Sequence, residues 1–114
     1  MSLDIWLYVA AKTGNPERSS VEIDGTSQNY THNVSRMWTK AGCWDALYES
    51  AGKRAGETLP VLDAAIAAME ADPDAYIALN PPNGWGDYES ALHWLKRWRE
   101  IVATDPDALI GVSA

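Results

Sequence analysis

The residues with the most binding chemistry lie in the stretch Asn80–Tyr88, which reads Asn-Pro-Pro-Asn-Gly-Trp-Gly-Asp-Tyr. Its two prolines each fix φ and lack an N–H, and its Asn-Gly pair is a typical turn, so we predict a rigid, bent loop. Side-chain amides bind polar groups and aromatic rings stack on planar ones, so Asn80, Asn83, Trp85 and Tyr88 are candidate ligand-binding residues. The alternative is a structural connector in which Trp85 fills the core.

A second candidate is the tripeptide Thr31-His32-Asn33, which opens a predicted helix and is followed one turn later by Arg36. Helix N-termini present free N–H groups and partial positive charge, and both attract anions. Simple capping by Thr31 or Asn33, with His32 in solvent, explains the same residues.

Both segments lead into helix starts, because Asp87 can cap the helix that follows the Asn80 loop. We therefore expect Trp85, Asn83 and His32 to lie close together in one pocket. Such a pocket suits a planar polar ligand with an anionic group, for example a nucleotide. The predicted ligand-binding residues are Thr31, His32, Asn33, Arg36, Asn80, Asn83, Trp85 and Tyr88.

The sequence lacks the common enzyme patterns. It has no Gly-rich phosphate loop, no zinc-binding spacing of Cys or His, and no nucleophile elbow. Cys43 has no activating base nearby in the sequence, so we predict a thiol that fills the core. We expect a non-enzymatic protein with no catalytic residues, no metal and no cofactor.

Length and composition set the class of protein. A chain of 114 residues predicts a single domain over residues 1–114. It has six tryptophans and no phenylalanine, so indoles must build much of the core, and their N–H groups need partners there. A net charge of −7 disfavours DNA or RNA as partners, since phosphate contacts dominate that affinity.

The same composition predicts a cytoplasmic protein. A single cysteine cannot form an intrachain disulfide, which is typical of a reducing compartment. The apolar run near the N-terminus lacks the basic flank of a signal peptide, and no stretch is long enough to span a membrane.

The elements that must position the candidate residues follow from the apolar periodicity. Leu3–Ala11 predicts a central strand, and a turn at Thr13–Pro16 leads to an antiparallel strand at Ser19–Asp24. Helical spacing and capping residues predict three main helices starting near Thr31, Thr58 and Tyr88, with a second helical piece at Cys43–Glu49 and a short helical segment at Asp74–Leu79. A closing strand is predicted at Ala108–Ser113. The order β-β-α-α-α-β predicts an α+β fold, with an antiparallel sheet of about three strands and helices packed on one face.

Four segments carry a resemblance that covers most of the chain: Leu3–Tyr8, Thr31–Val34, Met37 with Ala41-Gly42, and Asn80–Tyr88. They resemble a family of small proteins encoded by bacteriophages and in prophage regions. The resemblance implies that the protein acts in the cytoplasm of an infected bacterium. Small acidic phage proteins often counter host defences, some by sequestering nucleotide second messengers and others by covering a host protein's surface.

The predicted function is therefore a non-enzymatic binder that sequesters a nucleotide-like signal to counter host defence. The alternative is an acidic inhibitor whose surface meets a basic host protein. An open Trp85 in a cleft would favour the ligand, and a flat acidic face with buried indoles would favour the protein partner. An exposed aromatic patch would also favour a homodimer.

Overall fold

The computed structural model describes residues 2–10 and 20–114. In that part of the chain an open antiparallel sheet of four strands is combined with five α-helices. The predicted α+β class is thereby confirmed, although the sheet has one strand more than expected. The predicted turn at residues 13–16 lies outside the described residues.

The sheet is arranged around its first strand, as predicted. The strands are β1 (Ser2–Ala10), β2 (Ser20–Glu22), β3 (Gln28–Thr31) and β4 (Leu109–Ser113). β4 pairs with one side of β1, and β2 and β3 follow each other along its other side, all antiparallel. Leu3, Ile5 and Leu7 are fully buried and alternate with partly exposed residues, so one face of β1 packs on the core.

β2 lies within the second predicted strand, Ser19–Asp24, and Thr26 separates β2 from β3. The Thr26 hydroxyl accepts a hydrogen bond from Leu7 N at 3.0 Å and lies 2.8 Å from Ile23 O, to which it donates. This buried side chain takes the place of a backbone partner for Leu7. β3 therefore begins as a separate strand, and it carries the polar residues Gln28–Thr31 towards the candidate site.

A 3-10 turn at His32–Val34 joins β3 to the first helix. The helices are α1 (Ser35–Ala41), α2 (Trp44–Tyr48), α3 (Ala55–Ala71), α4 (Pro73–Ile77) and α5 (Tyr88–Thr104). Gly42 follows α1 in the left-handed conformation with φ 84°, as predicted for a helix C-terminus.

The predicted start of α3 is wrong. The helix begins at Ala55, so Thr58 is not its cap and Pro60 lies inside it. Ala55 N donates to Ala108 O at 2.8 Å, and Gly56 N donates to Pro106 O at 2.8 Å. These bonds to a distant segment satisfy N–H groups that a helix start leaves free, so the helix extends by one turn.

The core lies between the sheet, α1, α3 and α5. Helical spacing predicts that Leu59, Leu62, Ile66 and Met69 form one apolar stripe buried against the sheet. Leu62 and Met69 are fully buried, whereas Leu59 and Ile66 are partly buried. α3 packs chiefly against α5 rather than against the sheet. Trp98 is fully buried, and its indole N–H has no hydrogen-bond partner among the described residues, contrary to the expectation for buried indoles.

Candidate functional site

A groove of about 620 Å³ lies between β3, the 3-10 turn, the Asn80 loop and the start of α5. We call it the Trp85 groove. Its lining residues are Ser2, Asn29, Tyr30, Thr31, Asn33, Asn83, Trp85, Gly86 and Ser90. The structure therefore brings four of the predicted residues together, Thr31 and Asn33 from one segment and Asn83 and Trp85 from the other.

Gly86 is where the two segments meet. Its φ is +93°, a conformation that side chains disfavour. A Cβ placed on it would lie 2.9 Å from Thr31 Cγ2 and 2.9 Å from Val34 Cγ1. Only a glycine lets the Asn80 loop approach the 3-10 turn this closely, so the sequence itself fixes one wall of the groove.

Trp85 is the most exposed large apolar side chain of the described residues, at 68%. The loop around it is ordered by Asn83, whose Oδ1 accepts a hydrogen bond from Trp85 N at 3.0 Å. Trp85 therefore does not fill the core, and the structural-connector alternative is wrong on that point. Its ring stands at the groove, where a planar ligand can stack on it.

Asn80 and Tyr88, also predicted to bind a ligand, instead support the loop from behind. Asn80 Oδ1 accepts a hydrogen bond from Tyr88 N at 2.8 Å. The Tyr88 ring is buried, and its hydroxyl donates to Met69 O at 2.8 Å. Neither side chain lines the Trp85 groove, because each is used to attach the loop to α5 or α3.

His32 and Arg36 also lie away from the groove lining. The His32 ring packs on Tyr48 with ring centroids 5.5 Å apart, and its Nδ1 lies 2.7 Å from the Tyr48 hydroxyl. Burial raises the pKa of Tyr48, so this hydroxyl keeps its proton and can donate the hydrogen bond to His32 Nδ1. Arg36 lines a separate shallow groove with Lys40 on α1. The expectation that His32 shares a pocket with Trp85 therefore fails.

The helix starts do not offer the predicted anion site. Tyr88 N is bonded to Asn80, and Ser90 N donates to Asp87 Oδ1 at 2.8 Å. The hydrogen bond from Ser90 N lowers the pKa of Asp87, so a carboxylate stands at the start of α5. At the other segment, Thr31 Oγ1 accepts from Asn33 N at 3.2 Å and caps the 3-10 turn.

The lining of the Trp85 groove carries no formal charge among the described residues. Two carboxylates bond to lining residues: Asp4 Oδ1 accepts from Asn29 Nδ2 at 2.9 Å, and Asp87 Oδ1 accepts from Ser90 N at 2.8 Å. An uncharged or cationic group would therefore enter the groove more readily than a phosphate. The lining residues include no cationic side chain that could bind the anionic group of the predicted ligand.

Sequence reasoning missed several lining residues on β3 and α5. Tyr30 lies above an aromatic cluster, with ring centroids 6.2 Å from Trp38 and 5.7 Å from Trp94, and its hydroxyl lies 2.5 Å from Ser90 Oγ. Asn29 is opposite Asp4 in the sheet. The signal was the polar run Gly25–Tyr30, whose composition predicts either a bulge or an extension of the preceding strand.

Other chemistry is limited within residues 2–10 and 20–114. Burial raises the pKa of Cys43 to about 12, consistent with a core thiol rather than a nucleophile. No group of three or more His, Cys, Asp or Glu in these residues could hold a metal ion. None of their helices is both long and apolar enough to cross a membrane.

Comparison of the chain with protein-family models, with curated proteins and with solved structures found no match.

Proposed function

We propose that the protein is a non-enzymatic binder that holds a small planar ligand in the Trp85 groove. The observation that carries this proposal is the Trp85 ring, 68% exposed at a groove that also presents the amides of Asn33 and Asn83. Stacking on an exposed indole is a general way to bind planar groups.

The ligand that best suits this site is a nucleobase or a molecule that carries one. Bases stack on aromatic rings and are read by amides and backbone groups at their edges. The uncharged lining receives the base, and the phosphates of a nucleotide-like signal would extend out of the groove. The lining side chains are hydroxyls, amides and aromatic rings, which supports binding without chemical conversion.

The biological role that we propose comes from the resemblance to phage and prophage proteins. In the cytoplasm of an infected bacterium, such a binder would sequester a nucleotide-like signal and so counter host defence. A homodimer belongs to the same proposal, since two copies could cover each other's exposed aromatic surface. Light scattering with and without ligand would measure the oligomeric state.

The alternative proposal is an acidic inhibitor of a host protein, which the distribution of charge supports. The chain has sixteen acidic residues. Ion pairs within the described residues engage Asp63, Glu70, Glu100 and Asp107, so most carboxylates are left to give an acidic surface. Binding of a basic host protein would weaken steeply with added salt, whereas stacking of an uncharged base would change little.

Isothermal titration of the purified protein with adenosine, guanosine, cytidine and uridine tests the ligand proposal. We expect at least one nucleoside to bind, and Trp85→Ala to weaken that binding by about tenfold or more, because a stacked base is worth about 1–3 kcal/mol. Trp85→Phe keeps an aromatic face and should retain most of the affinity. Equal affinities of the wild type and Trp85→Ala would contradict the proposal.

A further inference from the structure

The edge of β3 that faces away from β1 can be assigned from the contacts of Leu7. Leu7 O accepts from Ile23 N at 2.9 Å, and Leu7 N donates to Thr26 Oγ1 at 3.0 Å. The backbone polar groups of Leu7 therefore point towards the β2–β3 side. Backbone groups of alternate residues in a strand point to the same side, so those of Leu3 and Ile5 do likewise.

The β3 residues opposite Leu3 and Ile5 form hydrogen bonds with β1, and the β3 residues next to them do not. Leu3 is opposite Tyr30, and Ile5 is opposite Gln28, so Tyr30 and Gln28 direct their N–H and C=O groups at β1. The N–H and C=O groups of Asn29 and Thr31 consequently point outwards. The Thr31 C=O accepts the first hydrogen bond of the 3-10 turn that Thr31 caps, whereas within residues 2–10 and 20–114 no hydrogen bond engages the Thr31 N–H or the Asn29 N–H and C=O.

The opposite side of the sheet gives an independent check of this assignment. Ile110 on β4 is opposite Leu7, so its backbone groups should point away from β1. They do, since Ile110 N donates to Lys53 O at 2.9 Å and Gly52 N donates to Ile110 O at 2.7 Å. That edge of the sheet is covered by residues 52–53, whereas the β3 edge opens on the Trp85 groove.

We propose that the free edge of β3 binds the ligand through the outward N–H of Thr31 and the outward N–H and C=O of Asn29. In an extended residue the N–H and C=O lie side by side and match a donor next to an acceptor, which is the pattern at the hydrogen-bonding edge of a nucleobase. The base would stack on Trp85 and direct this edge at β3. This inference rests on the proposed function and adds to it the class of ligand, an uncharged base with a free donor–acceptor edge.

The polar groups near the β3 edge favour an uncharged base over a charged ligand. Asn29, Thr31, Asn33 and Asn83 supply only neutral polar groups, and the nearby carboxylates repel phosphate. An extended peptide also pairs with strand edges, but the groove lining has only two aromatic rings, Tyr30 and Trp85, and no row of apolar side-chain pockets. A peptide that displaces the base is therefore an outcome of the test rather than the proposal.

We call the proposal that the β3 edge forms hydrogen bonds with the base the edge reading. Methylated nucleosides test it without changing the protein. Isothermal titration compares uridine with 3-methyluridine, inosine with 1-methylinosine, and adenosine with N6,N6-dimethyladenosine. Methylation removes the donor at the edge and leaves the stacking ring, so we expect the nucleoside that binds to lose affinity by about tenfold or more. Equal affinity for parent and methylated forms would overturn the edge reading and leave stacking on Trp85 intact.

The same titration separates this inference from the function on which it rests. If no nucleoside binds, the small-ligand proposal fails and the edge reading fails with it. If an extended peptide binds while no nucleoside does, the edge is a peptide site and both proposals are overturned in favour of that partner.

Two substitutions of Thr31 test the same proposal by changing the protein instead of the ligand. Its φ of −68° and ψ of 146° suit proline, and its N–H does not bond to β1, so Thr31→Pro removes one edge donor without breaking the sheet. Thr31→Val removes only the hydroxyl. We expect Thr31→Pro to weaken nucleoside binding about tenfold more than Thr31→Val does, because both variants lose the hydroxyl but only the proline loses the N–H. Equal losses would assign the effect to the hydroxyl and overturn the edge reading.

Discussion

Gly86 lies so close to Thr31 that a Cβ on the glycine would come within 2.9 Å of the threonine Cγ2. The two residues are far apart in sequence, and both line the Trp85 groove. Gly84 in the same loop also has a positive φ, of +74°, but a Cβ there would meet nothing within 4 Å. Comparison of Gly86 with Gly84 therefore separates the cost of positive φ from the cost of a steric clash.

We expect Gly86→Ala to lower the free energy of unfolding more than Gly84→Ala does. Both variants place a side chain at positive φ, which costs about 1–3 kcal/mol, but only Gly86→Ala also pushes the loop away from Thr31. Denaturant melts measure the stability, and nucleoside titration measures the groove. Equal losses in both variants would show that the loop is not held against the 3-10 turn.

Much of the fold could be predicted from sequence because its local signals agree with its tertiary contacts. Gly42 ends α1, Asp87 caps α5, and the apolar run at the N-terminus forms the central strand. The start of α3 could not be predicted, because bonds from Ala55 and Gly56 to residues 106–108 extend the helix. No local pattern encodes such long-range partners.

The candidate site could be predicted only in part, for a similar reason. The turn chemistry of the Asn80 loop predicted a bent loop that carries Trp85, and the structure has a loop that bends at Gly84 and Gly86, both with positive φ. Which side chains face the groove depends on contacts across the fold: His32 turns to Tyr48, and Asn80 turns to Tyr88 N. The contribution of Asn29 depends on strand register, which the sequence does not specify once Thr26 separates β3 from β2.

Leu62 tests the core beneath these elements. It is fully buried on α3, so Leu62→Ala should lower the free energy of unfolding by about 2–5 kcal/mol through lost burial and a cavity. Val61 on the same helix is 39% exposed, and Val61→Ala should cost much less. Urea melts of both variants measure this difference. A neutral Leu62→Ala would mean that α3 does not pack on the core in this register.

Asp87 should make stability depend on pH in the acid range. Hydrogen bonds from Ser90 lower its pKa in the folded protein below the ordinary value of 3.8. The stabilisation by this cap is therefore fully present above the unfolded pKa and is lost as pH falls through the folded pKa. Asp87→Ser keeps an acceptor at the cap but does not titrate there.

Denaturant melts from neutral pH down to about pH 3 measure this effect. We expect the wild type to lose more stability than Asp87→Ser over the acid part of the range, and the two to respond alike nearer neutral pH. Asp87→Ala removes the acceptor and should be less stable than both at neutral pH, by about 0.5–2 kcal/mol. Parallel pH profiles for the wild type and Asp87→Ser would contradict the assignment.

Variants of Asn83 should show whether this residue binds the ligand or only stabilises the conformation of the Asn80 loop. Its Oδ1 accepts from Trp85 N, and its amide nitrogen is free to face the groove. The bond is exposed, so Asn83→Ala and Asn83→Asp should each change the free energy of unfolding by less than about 0.5 kcal/mol. Asn83→Asp keeps the oxygen that orders Trp85 but replaces the amide donor by a charge.

We expect Asn83→Ala to weaken nucleoside binding because the turn no longer orders Trp85, and Asn83→Asp to weaken it because the donor is lost. Full affinity in Asn83→Asp together with weak binding in Asn83→Ala would limit Asn83 to positioning Trp85, since only the oxygen would then matter. If both variants bind nucleosides as tightly as the wild type, the amide of Asn83 makes no contact with the ligand. Titration of the three proteins side by side, with melts as the control for folding, distinguishes these outcomes.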